Sequence, residues 1–205
     1  DLMYKAYSKF LPHINNNYDY ADMLSEMLGE LNVSHTGASY RAGGGGEATA
    51  NLGLLYDWNY KGKGLKVAEI VEKSPFDHKN TKLTAGCIIE QIDGQAIEAG
   101  MDYFPLLEGK AGKNVLLAIY NPTTGKRFNV SIKAISAGEQ NTLLYKRWVD
   151  RNRKMVDELS GGRIAYVHVK GMDSPSFRTV YSELLSDKNR NREAVIVDTR
   201  HNGGG

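Results

Sequence analysis

The sequence predicts an α+β multi-domain chain: a helical segment, then a mostly β unit, then the opening of an α/β layer. Three observations predict it. Residues 18–31, YDYADMLSEMLGEL, carry apolar side chains at the three-four spacing of one helix face. Between about residues 50 and 137, five short apolar runs are each bounded by glycine or turn residues. From residue 163 a strand-like run, an amphipathic helix pattern and a second strand-like run follow one another. At 205 residues the length allows one large unit or two smaller ones, and two is the expectation.

In the first segment Tyr20, Met23, Leu24, Met27, Leu28 and Leu31 share a face, with Asp19 as the expected cap. KAYSKFLPHINN before it reads as a shorter helix broken at Pro12, whose missing amide ends regular pairing. Residues 41–48, RAGGGGEA, have no apolar period, and four successive glycines leave the backbone too permissive to hold structure unaided. The Lys and Ser/Thr that would complete a phosphate-binding loop are missing, so this stretch reads as a flexible connector.

The β unit is read from NLGLLYDW, LKVAEIV, CIIEQIDG, NVLLAIYN and RFNVSIKAI, with DYFPLLEG as a short helix carrying Leu106 and Leu107. Residues 139–160 return to a helix with Leu144, Trp148, Met155 and Leu159 on one face and Gly161 placed to end it. RIAYVHVKG is a strand. In SPSFRTVYSELLSD, Ser174 is the expected cap, Pro175 sits in the first turn, and Phe177, Val180, Tyr181, Leu184 and Leu185 form the apolar stripe. AVIVDTR is nearly all apolar before its aspartate, the pattern of a strand covered on both faces, and the series reads as a right-handed βαβ unit of a parallel sheet.

Composition narrows the function classes. With 26 Lys and Arg against 24 Asp and Glu, interspersed, the net charge of +2 leaves no electrostatic footprint for nucleic acid. The densest basic stretch, KRWVDRNRK at 146–154, has the spacing of one solvated helix face. No stretch approaches the roughly 18 apolar residues of a membrane span. The single Cys87 excludes an intrachain disulfide and a multi-cysteine metal site, and AGCIIE places it as filler where a turn enters a buried strand. His13 and His78 lie in polar loops without a second ligand nearby, and His168 in YVHV reads as a satisfied sheet histidine. No metal or organic cofactor is implied. Tyr56, Trp58 and Tyr60 read as cross-strand packing, the commoner use of such aromatics, with an aromatic surface for a partner as the alternative.

Two stretches carry chemistry. DTRHNGGG lies just past a strand's carboxyl end, where open α/β sheets gather ligands. Glycines there let backbone amides approach a reacting group, as an oxyanion hole requires, although a plain glycine turn has the same composition. Near the other end, SHTG sets Ser34 directly against His35. Adjacent side chains leave the backbone in divergent directions, so any group that His35 activates lies elsewhere.

The order of a helical segment with SHTG, a glycine-bounded β domain and a βαβ unit ending VDTRHNGGG resembles the carboxyl-terminal region of tricorn-type serine proteases, over nearly all 205 residues. The resemblance implies a helical subdomain over 1–49, a PDZ domain over 50–137, and a linker helix with the first βαβ unit of the catalytic α/β core over 138–205. It implies His35 as general base, Ser34 holding its ring, and Gly203, Gly204 and Gly205 as the loop supplying an oxyanion donor. The nucleophilic serine and the acid of the relay lie downstream in that family. None of Ser39, Ser74, Ser160 or Ser174 sits in a matching motif, so the chain is expected to be a portion of a larger enzyme and inactive alone. His201, between Arg200 and Asn202, is assigned no catalytic role, and Asp198 is expected to order the loop.

ANLGLLYD, VEKSPFDHKNTKLTAGCIIEQIDGQAI and LLEGKAGKNVLLAIYN carry the PDZ resemblance. Leu52, Gly53, Leu54 and Leu55 match the loop whose amides receive a peptide carboxylate, with the peptide adding a strand to the sheet edge. The loop lacks the usual first glycine or phenylalanine, and Cys87 stands where Asp is common, so a spacer that only positions the catalytic halves is an equal reading. The implied partners are a peptide or protein substrate and, in the full-length protein, further copies of itself; nucleic acid and membrane are not implied. The resemblance points to the cytoplasm, or to the periplasm if a leader was removed. Two other readings stay open: a carboxy-terminal processing protease with a Ser-Lys dyad, which needs no upstream histidine, and a non-catalytic peptide-binding module.

Overall fold

The computed structural model describes residues 2–43 and 47–204. The chain divides into two compact units, Asp1–Gly46 and Glu47–Gly205. The connector read over 41–48 falls in part on Gly44, Gly45 and Gly46, which lie outside the described residues.

In the first unit, helix α1 (Leu2–Tyr7) gives way at Ser8 to a 3-10 turn over Ser8–His13 that contains Pro12. The change of winding has a local cause: in α geometry the Pro12 ring would meet the carbonyl four residues back, that of Ser8. Helix α2 (Asn17–Gly29) is capped by Asn16, not by Asp19. The Asn16 side-chain oxygen accepts from the amides of Tyr18 and Asp19 at 2.8 and 3.0 Å. Asp19 works from inside the helix instead, accepting from the Asn15 amide at 3.0 Å and placing negative charge on the first turn. Ala21 is buried, Met23, Leu24, Met27 and Leu28 are half-buried, and Tyr20 and Leu31 are exposed.

The second unit opens with an antiparallel sheet of β1 (Leu54–Tyr56), β2 (Leu65–Ile70), β3 (Ile88–Ile92), β4 (Gln95–Ala96), β5 (Asn114–Asn121) and β6 (Lys126–Lys133), in the order β1-β2-β3-β5-β6 with β4 folded onto β3. Strand β5 shows why one face is core: Val115, Leu117 and Ile119 are buried, while Asn114 and Leu116 are exposed and Ala118 is half-buried, the two-residue period of a strand with one covered face. Leu52, Leu54, Val67, Phe76 and Ile89 join that core, and a 3-10 turn over Phe104–Leu107 adds Leu106 and Leu107. Cys87 is buried among them. The short β4 was absent from the expected elements. Its signal was Asp93-Gly94, both with positive φ (49° and 81°), the two-residue turn that closes a hairpin with Ile92 opposite Gln95.

Helix α3 (Ala137–Ser160) begins ahead of the expected residue 139, because Ser136 and Glu139 form a reciprocal capping box: the Glu139 amide donates to Ser136 Oγ at 3.1 Å and the Ser136 amide to Glu139 at 2.7 Å. Gly161 ends it in the left-handed conformation. The expected apolar face divides. Leu144 and Trp148 are half-buried, but Met155 and Leu159 are exposed, and the residue α3 buries most deeply is Val149. The basic stretch keeps Lys146, Arg151 and Lys154 exposed, as the solvated-face reading expected, while Arg147 and Arg153 turn inward. Arg147 and Arg151 both donate to Glu69 of β2, and Arg153 bridges Asp150 and Glu183. Long-range carboxylates draw these side chains into contacts between elements.

Strand β7 (Ile164–His168) and strand β8 (Ala194–Asp198) pair in parallel, Ile164 with Ala194 through His168 with Asp198, with helix α4 (Ser174–Leu184) between them in sequence. The α4 cap is Asp173, which accepts from the Ser176 amide at 2.7 Å, not Ser174. In β7, Ala165, Tyr166, Val167 and His168 are buried, consistent with a strand under helices. In β8 the expected covering is missing among the described residues: Val195, Ile196 and Val197 are exposed, with Val197 at 53%. Phe177, Tyr181 and Leu185 of the α4 stripe are exposed too.

Candidate functional site

Ser34 and His35 lie in the first unit, in a segment that leaves α2 and doubles back along it. The Thr36 hydroxyl donates to the Val33 carbonyl at 3.0 Å and reaches the Leu28 carbonyl at 3.5 Å. Gly37 comes against Ser25, and Tyr40 packs edge-on against Tyr18 with ring centroids 5.1 Å apart. Anchored at those points, the turn holds His35 at φ 66°, a left-handed conformation uncommon outside glycine. Both Ser34 and His35 are exposed, and neither side chain makes a hydrogen bond among the described residues. Its ring nitrogens are uncommitted, and no hydrogen bond among the described residues orients the ring.

The glycine turn lies in the second unit, beyond β8, and its geometry begins at Asp198. That carboxylate is buried and accepts from the Tyr166 hydroxyl at 2.7 Å, the Arg200 amide at 2.9 Å and the Arg200 guanidinium. The Arg200 side-chain hydrogen bonds, reinforced by Tyr166 and opposed by burial, hold the Asp198 carboxyl well below the usual carboxylate range. Burial, with the Asp198 charge beside it, pushes the Tyr166 hydroxyl up to about 12. His168 is satisfied on both nitrogens, as its strand context suggested. Nε2 donates to the Arg200 carbonyl at 2.8 Å, which leaves Nδ1 to accept from the Tyr145 hydroxyl at 2.9 Å. Trp148 of α3 packs edge-on against His168 at 4.8 Å and lies under the Arg200 guanidinium at 5.2 Å.

Asn202 fixes the turn itself: its side-chain nitrogen donates to the Val169 carbonyl at 3.0 Å, and its oxygen accepts from the Gly204 amide at 2.8 Å. The three candidate oxyanion donors therefore differ. The Gly204 amide is occupied by Asn202, and its φ of 86° requires glycine for conformational reasons. The Gly203 amide has no partner among the described residues, and a side chain there would meet nothing within 4 Å. Gly205 lies outside the described residues. His201 stands at φ 64° with its ring 5.9 Å from that of Trp148. The supporting residues Tyr145, Trp148 and Tyr166 were missed by sequence reasoning; each lies in an ordinary apolar pattern and carries no local signal.

At the other end of the second unit, Leu52 and Leu54 point their side chains into the core, at 2% and 3% exposure, and Leu55 is half-buried. Strand β1 is an edge of the sheet, bordered by a cleft of about 410 Å³ whose wall includes Tyr56, Trp58, Tyr103 and Phe104. Tyr56 packs edge-on against Tyr103 and Trp58, neither of which lies in a strand, so these contacts are not the cross-strand packing expected, and Trp58 is largely exposed. Gly53 closes the loop at φ 71°, and a Cβ there would fall 2.4 Å from the Ser74 Cβ. Gly53→Ala combines a left-handed conformation with an overlap that no rotamer relieves. It is expected to lower stability by about 3 kcal/mol, read as a drop in urea midpoint with unchanged slope; a loss under about 0.5 kcal/mol contradicts this account of the loop.

Comparison with known proteins follows the same outline. A family model described as the tricorn protease C1 domain matches residues 1–29. The tricorn protease homolog 1 of Streptomyces coelicolor is 30% identical over 213 residues, spanning 100% of this chain and 20% of that protein. The tricorn protease homolog of Saccharolobus solfataricus is 28% identical over 218 residues, spanning 100% of this chain and 19% of that protein. Among solved structures, the crystal structure of the tricorn protease aligns with a TM-score of 0.77 at 26% identity, covering 99% of this chain and 20% of that one. The chain thus spans about a fifth of the length of the curated relatives it matches.

Proposed function

We infer that this chain, which matches a stretch of the tricorn-type proteases along its whole length, supplies three parts of a serine peptidase: a base-bearing arm, a peptide-docking sheet and an oxyanion turn. In this reading His35 takes the proton from a serine hydroxyl supplied outside these 205 residues; Ser34, which makes no side-chain hydrogen bond to the ring among the described residues, is given no role in holding it. A hydroxyl is a weak nucleophile until an oriented imidazole removes its proton, and acyl transfer through a serine ester then divides peptide hydrolysis into two easier steps. The Gly203 amide is the donor for the oxyanion, because Asn202 already occupies that of Gly204. No metal or organic cofactor enters this chemistry.

The observation that carries the reading is the end of β8, where Asp198, Tyr166, Arg200, His168 and Asn202 together hold one glycine turn with one amide unspent. The test compares the complete protein with the 205-residue chain on a fluorogenic peptide. The complete protein hydrolyses it and is inactivated by a serine-directed phosphonate; the chain alone does not turn it over. Phosphonate-sensitive turnover by the chain alone refutes the placement of the nucleophile.

The β1 edge is read as the docking strand for the carboxyl end of a peptide, with Leu52, Gly53, Leu54 and Leu55 giving the amides that receive the carboxylate. A peptide with a free carboxyl terminus is expected to bind the second unit at least about tenfold more tightly than its amide, the difference expected of a charge-assisted hydrogen bond. Fluorescence anisotropy reads the ratio. Equal affinities remove the capture role and leave the sheet as a spacer.

A further inference from the structure

Away from the glycine turn and the β1 edge, the second unit contains a cavity of about 430 Å³ on the wall formed by α3, α4 and the end of β7. Three lysines line it from three separate elements: Lys73 from the loop after β2, Lys146 from α3 and Lys170 from just beyond β7. None of the three forms an ion pair among the described residues. The two carboxylates on the same wall, Asp150 and Glu183, both turn to Arg153, at 2.7 and 2.8 Å. The lining therefore holds two positive charges in excess.

Three neutral groups on the wall spend their donors within the protein: Tyr145 on His168, His168 on the Arg200 carbonyl and Thr179 on the Pro175 carbonyl. The Lys170 ammonium rests over the Tyr145 ring, 4.9 Å from its centre, with no oxygen partner among the described residues. Like charges gathered on one concave wall repel, and the repulsion is relieved by an anion that each ammonium can approach. A volume of this size suits a small molecule, not a folded partner.

We propose that this cavity binds a small polyanion carrying two or more negative charges on phosphate or carboxylate groups. The ligand contacts Lys73, Lys146 and Lys170 together, so binding draws the loop after β2 towards α3 and β7. It also sits beside Tyr145, whose hydroxyl holds the ring that in turn holds the Arg200 carbonyl of the glycine turn.

The test is calorimetric titration of the 205-residue chain with inorganic pyrophosphate and, separately, with citrate, at low ionic strength. The expected result is saturable single-site binding by at least one, with a Kd below about 1 mM. Tighter pyrophosphate binding identifies phosphate as the recognised chemistry, and tighter citrate binding identifies carboxylate. Lys73→Gln, Lys146→Gln and Lys170→Gln each weaken it about tenfold, Lys170→Arg retains it, and Lys61→Gln, on another part of the same unit, leaves it unchanged. Thermal melting verifies that each variant is folded. No saturable heat with either anion up to about 10 mM, or equal weakening by Lys61→Gln and the cavity variants, overturns the proposal: the second result would mean diffuse attraction to a basic surface.

Discussion

Replacing His35 with Ala in the complete protein is expected to lower kcat/KM for peptide hydrolysis by about three orders of magnitude, the usual worth of a positioned general base activating a serine. The residual rate should come from binding and oxyanion stabilisation alone, so KM should move little while kcat falls. His35 is exposed and makes no side-chain hydrogen bond among the described residues, so its removal leaves the packing of its own unit intact. Loss of rate with an unchanged melting temperature therefore separates a chemical role from a structural one. The same variant decides between two mechanisms. A Ser-Lys dyad has no use for this imidazole, and activity within about twofold of wild type would favour the dyad.

Asp198→Ala is expected to destabilise the chain by about 2–3 kcal/mol at neutral pH, because it leaves the buried Tyr166 hydroxyl without its acceptor and releases Arg200. Its pH dependence has a definite sign. The folded carboxyl is held below its ordinary value by Arg200 and then Tyr166. Its ionised state therefore stabilises the fold fully above about pH 4, the unfolded value, and that contribution is lost as pH falls below it towards the folded value. Urea unfolding of wild type and Asp198→Asn should differ most at pH 7 and converge in strong acid. A gap that stays constant from pH 7 to below pH 3 would mean that the charge of Asp198 does not stabilise this turn. Because Asp198 orders the segment that carries Gly203, the same substitution in the complete protein should also lower kcat.

Most of the architecture could be read from periodicity, and the misses have physical reasons. Strand β5 was legible to the residue because the buried Val115, Leu117 and Ile119 alternate with less buried neighbours. The caps were misplaced because the residue that reaches the free amides precedes the apolar period: Asn16 in place of Asp19, Asp173 in place of Ser174, and Ser136 with Glu139 ahead of residue 139. The ion pairs of the basic stretch on α3 were not legible because one partner, Glu69, lies 78 residues from Arg147, and no window sees that far. AVIVD read as a strand covered on both faces, and among the described residues β8 is exposed. At the candidate site, the Ser34-His35 pair and the glycine run were visible as motifs. The division of labour within the run was not, since it depends on the Asn202 side chain folding back onto Gly204.

A crystal structure of the complete protein phosphonylated by a peptidyl phosphonate tests the central claim most directly. The account predicts His35 Nε2 within hydrogen-bond reach, about 3 Å, of the modified serine oxygen, and the Gly203 amide about 3 Å from the phosphonyl oxygen. A phosphonylated serine whose surroundings hold a lysine and not His35, or whose phosphonyl oxygen takes its hydrogen bonds from amides outside the 203–205 turn, would contradict it.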